Sequence, residues 1–370
     1  MDAPTNTRFD FVIVGAGMAG ASLAARLAGS SAGARVLVIE AEERPGYHAT
    51  GRSAAFWTES YGGPRVQPLT AASGAELREL GVLAPRSALT LGRIGEEADV
   101  ERFARTYGDL GVEVRVLDRP GIEARVPGLR PGWTSGVLEP STCDIDVAAL
   151  HQHYLAAARR EGVEIRCRVG LRAATRTARG WALTLADGQE ITCEMLVDAA
   201  GAWADSVSRL AGMRPLGIAP YRRTMAQLAI GRPVPDDLPL VLDVGETFYF
   251  KPEHGRLWLS PHDETPSAPC DAAPEELDVA LAIDRLEGVV DWPVERVEHR
   301  WAGLRSFAPD RLPVYGFDPA DPAFFWFAGQ GGFGIQTAPA AAVLGAALLL
   351  GEKGGDLDPA PYSPDRFVTA

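Results

Sequence analysis

Hydrophobic and polar positions first form a strand–helix–strand pattern over residues 9–40. An apolar run, Phe11-Val-Ile-Val14, ends in a glycine-rich turn, a segment with helical spacing follows, and a second apolar run, Val36-Leu-Val-Ile39, closes on Glu40. Short continuous apolar runs are typical of strands that are buried on both faces of a parallel sheet. The pattern therefore predicts a βαβ unit near the amino terminus.

Helices and strands alternate along the rest of the chain. Helical spacing predicts helices over residues 67–80, 100–110, 147–160 and 338–350. Alternating or apolar runs predict strands over residues 88–92, 112–117, 163–169, 181–185, 190–192, 195–201, 222–230, 247–251 and 257–260. Residues 186–188, Ala-Asp-Gly, predict a turn between two antiparallel strands. The strands after residue 222 are expected to form a second sheet, so two insertions would build a second domain.

The glycine-rich turn has the spacing of a dinucleotide site, Gly15-x-Gly17-x-x-Gly20. Gly15 allows a tight turn, Gly17 leaves room for a pyrophosphate, and Gly20 lets the helix pack closely, so that helix amides face the phosphates. Glu40 lies twenty residues after Gly20 in the sequence. At this spacing in a βαβ unit a carboxylate accepts hydrogen bonds from an adenosine ribose. A glycine-rich turn in an ordinary α/β domain is the alternative. The motif does not specify which dinucleotide binds.

Composition narrows the class of protein. The chain has 370 residues, of which 46% are hydrophobic and 23% charged, as in soluble globular proteins. Its net charge of −13 and the lack of a Lys/Arg stripe argue against a nucleic-acid partner. The longest apolar stretch, residues 338–350, is shorter than the roughly 20 residues of a bilayer span and contains a proline, so we expect a buried helix and no transmembrane segment.

The cysteines and the amino terminus indicate the compartment. Cys143, Cys167, Cys193 and Cys270 are far apart and have no histidine companions at metal-ligand spacing, so no metal site is expected. Residues 1–8 lack the basic and apolar regions of a signal peptide. A reduced, cytoplasmic setting is the default expectation.

Four further segments carry candidate chemistry. Residues 48–55 combine small residues with Arg52, which could neutralise a phosphate, and residues 197–203 place small residues at a strand end. Arg305 stands among apolar residues and needs an anionic partner, either an internal ion pair or a ligand. The glycines of residues 329–336 precede a helix whose positive end would suit negative charge on a reduced ring.

Seven runs follow one another along the chain, at residues 45–55, 144–150, 199–203, 214–217, 248–252, 301–307 and 330–337. Taken in this order, they resemble the FAD-dependent glycine/D-amino-acid oxidase superfamily, the DAO family, over nearly the whole chain. Within this family the resemblance is strongest to the bacterial D-amino-acid dehydrogenases, the D-arginine dehydrogenases in particular.

The resemblance implies FAD as the cofactor, bound without a covalent link. It implies an α/β fold, α+β overall, in which a glutathione-reductase-type FAD-binding Rossmann domain is interleaved with a substrate domain on a mixed or antiparallel sheet. The FAD-binding domain is expected over residues 1–85, 145–215 and 306–370, and the substrate-binding domain over residues 86–144 and 216–305.

The resemblance also assigns roles to side chains. Arg305 would hold a substrate carboxylate in a bidentate fork that lysine cannot match, and the hydroxyl of Tyr249 would share it. Tyr61 would lie on an active-site lid, and Arg223 would line the same pocket or form an ion pair on the sheet. The expected catalytic set is Arg305, Tyr249, Tyr61, Arg223, Gly332 and Gln336. The expected cofactor contacts are Gly15, Ala16, Gly17, Met18, Ala19, Gly20, Glu40, Ala41, His48, Thr50, Gly51, Arg52, Ser53, Ala54, Ala55, Val169, Ala200, Gly201, Trp203, Gly303, Gly329, Gly331, Gly332, Phe333, Gly334, Ile335 and Gln336.

Three positions bear on specificity and on the cofactor link. D-Arginine dehydrogenases carry an acidic residue where this chain has Ala88, and a histidine where it has Phe56. The loss of a charge and the gain of an apolar wall predict neutral or hydrophobic substrates rather than cationic ones. His48 has a counterpart that bonds flavin covalently in dimethylglycine and sarcosine dehydrogenases, whereas the D-amino-acid dehydrogenases hold FAD without a bond.

The resemblance implies oxidative deamination of a D-amino acid to the 2-keto acid and ammonia, by hydride transfer from Cα to flavin N5. No Asp, Glu or His is evident in the sequence as a base. One alternative is a secondary-amine (sarcosine, D-proline, dimethylglycine) or 2-hydroxy-acid dehydrogenase or oxidase of the same superfamily. Another is a non-catalytic flavin-binding subunit. The electron acceptor, quinone or O2, is left open.

Overall fold

The computed structural model of the chain describes residues 7–30 and 33–368. The β-strands, numbered in chain order, are β1 (Arg8–Val14), β2 (Val36–Ile39), β3 (Phe56–Trp57), β4 (Leu83–Pro85), β5 (Ala88–Arg93), β6 (Arg115–Asp118), β7 (Trp133–Glu139), β8 (Cys143–Ile145), β9 (Glu164–Arg166), β10 (Leu171–Thr177), β11 (Gly180–Leu185), β12 (Glu190–Asp198), β13 (Ala219–Ile230), β14 (Leu240–Asp243), β15 (Tyr249–Glu253), β16 (Arg256–Ser260), β17 (Thr265–Pro266), β18 (Val294–Phe307), β19 (Val314–Asp318) and β20 (Asp321–Ala328).

The α-helices connect and cover these strands. In chain order they are α1 (Met18–Ser30), α2 (Gln67–Glu79), α3 (Glu97–Asp109), α4 (Arg119–Glu123), α5 (Val147–Arg160), α6 (Ala204–Leu210), α7 (Glu276–Val289) and α8 (Ala338–Leu350). Short 3-10 turns occur at Thr50–Arg52, Gly201–Trp203, Ala360–Tyr362 and Pro364–Phe367.

The first sheet contains the predicted βαβ unit. Its strand order is β10-β11-β12-β1-β2-β9, and β20, with β19 beside it, also pairs with β12. Strand β1 runs parallel to both β2 and β12, as the glycine-rich unit predicts, and α1 covers their junction. The carboxyl ends of β1, β2 and β12 therefore meet at one edge of the sheet, which is where ligands bind in such sheets.

Strand β12 corrects one sequence prediction. The sequence pattern predicts separate strands over residues 190–192 and 195–201, but the structure has a single strand from Glu190 to Asp198. Its first half alternates exposed and buried residues beside β11, and its last residues are all buried between β1 and β20. The hydrophobic pattern changes because the strand passes from a half-exposed antiparallel region into the buried parallel core.

The second sheet has the order β17-β13-β16-β15-β14-β5-β7-β6, with β18 paired along β13. Its pairs are antiparallel except for β14 and β5, so the predicted mixed or antiparallel character is confirmed. One face packs against α7, through Val279, Ala282 and Leu286. Strands β3, β8 and β4 form a small third sheet. The division into two discontinuous domains with the boundaries above remains a prediction.

Helix α8 is the buried apolar helix expected from the sequence. It packs against α1, α2 and β19, with Ala340, Ala341 and Leu344 in the core. Pro339 lies in its first turn, where a backbone N–H has no helical partner, and Gly351 ends it in the left-handed conformation. Over residues 7–30 and 33–368, the structure contains no helix with the length and apolar character needed to cross a membrane.

Candidate active site

A cavity of about 440 Å³ lies between the first and second sheets. At one end it is lined by the turn after β1 and by Glu40 at the end of β2. At the other end it is lined by Arg223, Tyr249 and Arg305 of the second sheet. Its volume is within the range of about 300–1,000 Å³ that is usual for small-molecule sites. The cavity therefore joins the two clusters that the sequence singles out.

The turn after β1 requires glycine at two positions. Gly15 has a φ of +103°, and a Cβ there would lie 2.6 Å from the carbonyl oxygen of Ala199. A Cβ on Gly20 would lie 1.9 Å from the carbonyl oxygen of Gly15. Both positions bring backbone against backbone, so the turn can pass close to the end of β12 and α1 can pack against the turn.

Three side chains hold this turn in place. The Glu40 carboxylate accepts hydrogen bonds from the N–H of Ala16, at 2.9 Å, and from the N–H of Glu42, at 3.0 Å. The Thr50 hydroxyl accepts one from the N–H of Met18 at 2.9 Å, and the buried His151 places Nε2 2.9 Å from the carbonyl oxygen of Ala16. Glu40 was expected only as a ribose ligand, and it also orders the turn.

Most of the predicted cofactor residues line the cavity. They are Gly15, Gly17, Met18, Ala19, Glu40, Ala41, His48, Thr50, Arg52, Ser53, Ala54, Val169, Ala200, Gly201, Trp203, Gly303, Gly331, Gly332, Gly334 and Ile335. Ala55 and Gln336 line a small adjoining cavity beside Tyr249 and Arg305. Five others are chain neighbours of the wall, namely Ala16, Gly20, Gly51, Gly329 and Phe333.

His48 and Arg52 line the cavity while bonded to protein groups. His48 Nε2 lies 2.9 Å from a Glu42 carboxylate oxygen, and its ring packs against Trp203 with centroids 4.6 Å apart. The Arg52 guanidinium pairs with Asp271 and donates to the carbonyls of Ala272 and Ala302, at 2.8 and 3.0 Å. The charge of Arg52, predicted to neutralise a phosphate, is therefore already compensated by a carboxylate.

Arg305 stands between two tyrosine hydroxyls. Its Nη1 donates to the Tyr61 hydroxyl at 2.5 Å and its Nη2 to the Tyr249 hydroxyl at 3.3 Å. A Cβ on Gly332 would lie 2.6 Å from Arg305 Nη1, so the glycine-rich loop and the guanidinium are in close contact. The structure thus brings together Arg305, Tyr249, Tyr61 and Gly332, which are far apart in the chain.

Arg223 adds a second guanidinium to the same wall. In the register of β13 and β18, Arg223 faces Gly303 and Tyr221 faces Arg305, so both arginines lie on one face of the strand pair. Arg223 is buried; its Nε donates to the Asp263 carbonyl at 2.7 Å, and its Nη1 has no hydrogen-bond partner among the described residues. Burial, and then the charge of Arg305, lower the pKa of Arg223. Arg223 also forms ion pairs with the carboxylates of Asp263 and Glu264, at 3.8 and 3.4 Å, as the ion-pair alternative expects. Among the described residues Arg305 forms no ion pair, so its charge remains available for an anion.

His262 is a site residue that the sequence reasoning missed. Its Nε2 lies 3.3 Å from the Tyr61 hydroxyl, and its ring meets those of Tyr61 and Tyr249 edge to face. Burial, with the charges of Arg223 and Arg305, lowers the pKa of His262 to about 2. The imidazole is therefore neutral and can accept the Tyr61 O–H. No motif surrounds it: it follows β16 in a Pro-His-Asp step.

An apolar cluster borders the two tyrosines. The Phe56 ring lies 5.2 Å from that of Tyr61 and 6.1 Å from that of Tyr249, between centroids. Ala88 is buried in the same cluster, as are Leu240 and Leu242. Phe56 and Ala88 thus lie in the cluster that contains both tyrosines, and they present apolar surface there.

The chain is similar in sequence to FAD-dependent oxidoreductases. Residues 10–348 match the family model described as DAO, FAD dependent oxidoreductase. The glycine oxidase of Pseudomonas aeruginosa is 28% identical over 255 residues, which cover 65% of this chain and 65% of that protein. Hydrogen cyanide synthase subunit HcnC of the same species is 27% identical over 280 residues, covering 72% of this chain and 63% of that subunit. These matches span less than two thirds of the relatives' own lengths.

Solved structures share the fold. Glycine oxidase from Geobacillus kaustophilus aligns with a TM-score of 0.84 and 23% identity, over 97% of this chain and 98% of that one. L-Proline dehydrogenase from P. horikoshii aligns with a TM-score of 0.85 and 20% identity, over 98% of this chain and 99% of that one. At these identities the likeness shows a shared fold.

Proposed function

Because the chain belongs to the DAO family of FAD-dependent oxidoreductases, we propose that it oxidises the amine of a D-amino acid with an uncharged side chain. The oxidised product is an imino acid, which water converts to the 2-keto acid and ammonia. One observation carries the proposal: Arg305, bonded to the hydroxyls of Tyr61 and Tyr249, lines the same cavity as the dinucleotide turn. A carboxylate bound there would place its Cα beside the glycine-rich loop of residues 331–334.

FAD, the cofactor of the family, fits the residues that line the cavity. The turn passes close to the backbone at Gly15 and Gly20, and Gly15, Gly17 and Glu40 line one end of the cavity, where a pyrophosphate and a ribose would lie. Gly331 and Gly332 line the end beside Arg305. These groups would hold the two halves of the cofactor, and bound FAD would supply a hydride acceptor for the substrate Cα–H.

The chain's own residues bind and orient the amino acid. The Arg305 guanidinium presents paired N–H donors that match a carboxylate, which a lysine ammonium cannot do. The Tyr249 hydroxyl accepts from Arg305 and lies 3.0 Å from Met225 Sδ, a weak acceptor. Because a carboxylate is a far stronger acceptor than a thioether, the Tyr249 O–H can turn from Met225 to the substrate.

Among the described residues that line the cavity beside Arg305, no carboxylate or imidazole is placed to take the amine proton. Among the described residues that line the main cavity, the carboxylates are Glu40 and Glu42, which lie at the dinucleotide end. His262 lies behind Tyr61 and its pKa is lowered to about 2, so it is a weak base. The substrate amine therefore loses its proton to solvent, and the neutral amine is the reactive form.

The pH dependence tests this assignment. Above about pH 4 the imidazole of His262, with its pKa near 2, carries no charge, so it adds no ionisation to the profile. We expect kcat/KM to rise with pH through a single apparent pKa that belongs to the substrate amine, and His262→Asn to leave that pKa unchanged. Steady-state kinetics from about pH 6 to 10 measure it. A flat profile, or an apparent pKa that moves in the His262→Asn enzyme, would contradict the assignment.

A substrate panel tests the function itself. D-Phe, D-Leu, D-Arg and their L-forms are each added to the enzyme under anaerobic conditions. We expect D-Phe and D-Leu to bleach the flavin, with kcat/KM values at least about tenfold above that of D-Arg. The Arg305 guanidinium and the apolar cluster of Phe56, Ala88, Leu240 and Leu242 beside the site disfavour a cationic side chain. A higher kcat/KM for D-Arg would refute the side-chain assignment, and admission of air then separates an oxidase from a dehydrogenase.

The panel includes the remaining candidates. Glycine, sarcosine, D-proline, dimethylglycine and 2-hydroxyglutarate each offer a carboxylate to Arg305. If one of these compounds alone bleaches the flavin, the substrate class is instead glycine, an N-alkylated amino acid or a 2-hydroxy acid, according to the compound that reacts. Bleaching by none of the panel would indicate a flavin-binding subunit. Acid precipitation checks the cofactor link: yellow colour in the pellet would mean that His48 bonds the flavin.

A further inference from the structure

The segment of residues 58–61, which carries Tyr61, is held by two buried side chains. The side-chain oxygen of Gln336 accepts the Thr58 N–H at 3.2 Å, and its amide donates to the Tyr61 carbonyl at 3.1 Å. Glu139 accepts the N–H of Glu59 at 2.8 Å, the N–H of Ser60 at 3.2 Å and the Ser60 hydroxyl. Gln336 and Glu139 together therefore hold the backbone from Thr58 to Tyr61 by hydrogen bonds.

Glu139 reaches this segment from the second sheet. It ends strand β7 and is 2% exposed. Burial raises the pKa of its carboxyl, and the hydrogen bonds from Ser60 and Glu59 lower it in part. Among the described residues no cation lies within ion-pair distance of this carboxylate, so its partners are the segment itself and Ser141, at 3.4 Å. A buried carboxylate of this kind is costly unless it is hydrogen-bonded.

The Tyr61 hydroxyl helps to orient the Arg305 guanidinium through a hydrogen bond. The hydroxyl accepts from Arg305 Nη1 at 2.5 Å, and the tyrosine ring packs on Phe56. Tyr61 directly follows Ser60 in the chain. A shift of the Ser60 peptide would therefore move the Tyr61 hydroxyl, and the Arg305 guanidinium that is bonded to it. Displacements of about 1 Å at a substrate-orienting group are enough to reduce rates strongly.

We propose that Glu139 is a positioning residue, which fixes the backbone of Glu59 and Ser60 and thereby holds Tyr61 against Arg305. The role rests on the proposed function only in that the substrate carboxylate binds at Arg305. Glu139 acts through Tyr61 and does not touch the substrate. Both of its carboxylate oxygens are engaged by the segment, and it lies outside the described lining of the two cavities.

A different role for Glu139 is suggested by its neighbour. In the register of β5 and β7 it stands opposite Ala88, the position where D-arginine dehydrogenases carry an acid. A carboxylate at this place could serve a cationic side chain, but its oxygens are already bonded to Glu59 and Ser60. The two roles differ in their substrate dependence, because only cation recognition would act selectively on D-Arg.

The experiment compares Glu139→Gln and Ser141→Ala in the FAD-loaded enzyme. Glutamine keeps the size but has one acceptor oxygen, whereas Ser141→Ala removes only the long contact to the same carboxylate. Hydrogen exchange of peptides that cover residues 58–66 should be about tenfold faster in Glu139→Gln and unchanged in Ser141→Ala. This measurement needs no substrate, so it decides the positioning role even if no amino acid bleaches the wild-type flavin.

Kinetics then test whether the effect passes through Tyr61. For D-Phe we expect Glu139→Gln to lower kcat/KM about tenfold, mainly through KM, with the FAD dissociation constant unchanged. In a Tyr61→Phe background the same substitution should cost less than about twofold, because the hydroxyl that it positions is gone. If Glu139→Gln does not fold, Ser60→Ala, which removes only the hydroxyl donor, should show the same coupling with an effect of about threefold.

Three results would overturn the proposal. An equal loss in the wild-type and Tyr61→Phe backgrounds would make Glu139 a general stability residue. Unchanged exchange over residues 58–66 would show that the segment does not depend on it. A loss confined to D-Arg would assign Glu139 to cation recognition.

Discussion

Replacing Arg305 with glutamine should lower kcat/KM for the amino acid substrate by roughly 10³-fold, and replacing it with lysine by roughly 10²-fold. Loss of one partner from a buried charge pair costs about 2–5 kcal/mol, and each 1.36 kcal/mol is a factor of ten. Lysine keeps the charge but loses the fork that bonds Tyr61 and Tyr249. Steady-state kinetics with D-Phe and flavin absorbance measure the result, and flavin content should stay at the wild-type level.

Arg300 provides the matched control on the same strand. It lies in β18, five positions before Arg305, with its side chain 49% exposed and 3.6 Å from Glu276. Exposed pairs of this kind contribute about 0–1 kcal/mol, so Arg300→Gln should stay within about twofold of wild type. If kcat/KM of the Arg305→Gln enzyme stays near the wild-type value, Arg305 does not bind the substrate carboxylate. Arg223 would then be the next candidate for that role.

The βαβ unit could be predicted because its determinants are local. The glycine spacing, the two apolar runs and Glu40 all lie within residues 11–40, and β1, α1 and β2 form there. Helix α5 was predicted with the bounds Val147–Arg160 that the structure shows. Where secondary structure follows from short-range spacing, sequence pattern is sufficient.

Strand β18, which carries Arg305, was not predicted as a strand. Its first half is Val294-Glu-Arg-Val-Glu-His-Arg300 and is largely exposed, so no alternation of apolar residues marks it. It forms because β13 pairs with it over its whole length, a contact far away in sequence. Helix α7 was missed as well, although Val279, Ala282, Leu286 and Val289 are spaced for one buried face.

The site was only partly accessible to sequence reasoning. Arg305, Tyr249 and Tyr61 were assigned through the family resemblance, and the structure brings them into contact across 244 and 56 positions of chain. His262, which follows β16, contacts the Tyr61 hydroxyl, and Glu139, at the end of β7, bonds the backbone of Glu59 and Ser60; neither residue lies in a motif. Their roles follow from tertiary packing, which no local pattern records.

The other large effect is expected at the dinucleotide turn, where Gly20→Ala should yield a protein purified without FAD. The new Cβ would lie 1.9 Å from the carbonyl oxygen of Gly15, so the turn or the start of α1 has to move away. Gly15 and Gly17, which line the cavity end, would move with it, and we expect the FAD dissociation constant to rise by at least about 100-fold. Flavin absorbance relative to protein absorbance and titration of the apoprotein with FAD measure this.

Gly29→Ala, on the same helix, is the matched control, because it makes the same substitution at a glycine without a close backbone contact. Gly29 is exposed near the end of α1, and a Cβ there would meet no atom of residues 7–30 and 33–368 within 4 Å. Since alanine is favoured over glycine in helices by up to about 1 kcal/mol, Gly29→Ala should keep its full flavin content and a melting temperature at or above that of the wild type. Full flavin content in a folded Gly20→Ala protein would show that close packing of α1 on the turn is not what holds the cofactor. Loss in Gly20→Ala alone would place the binding energy of the ADP half in the backbone of this turn.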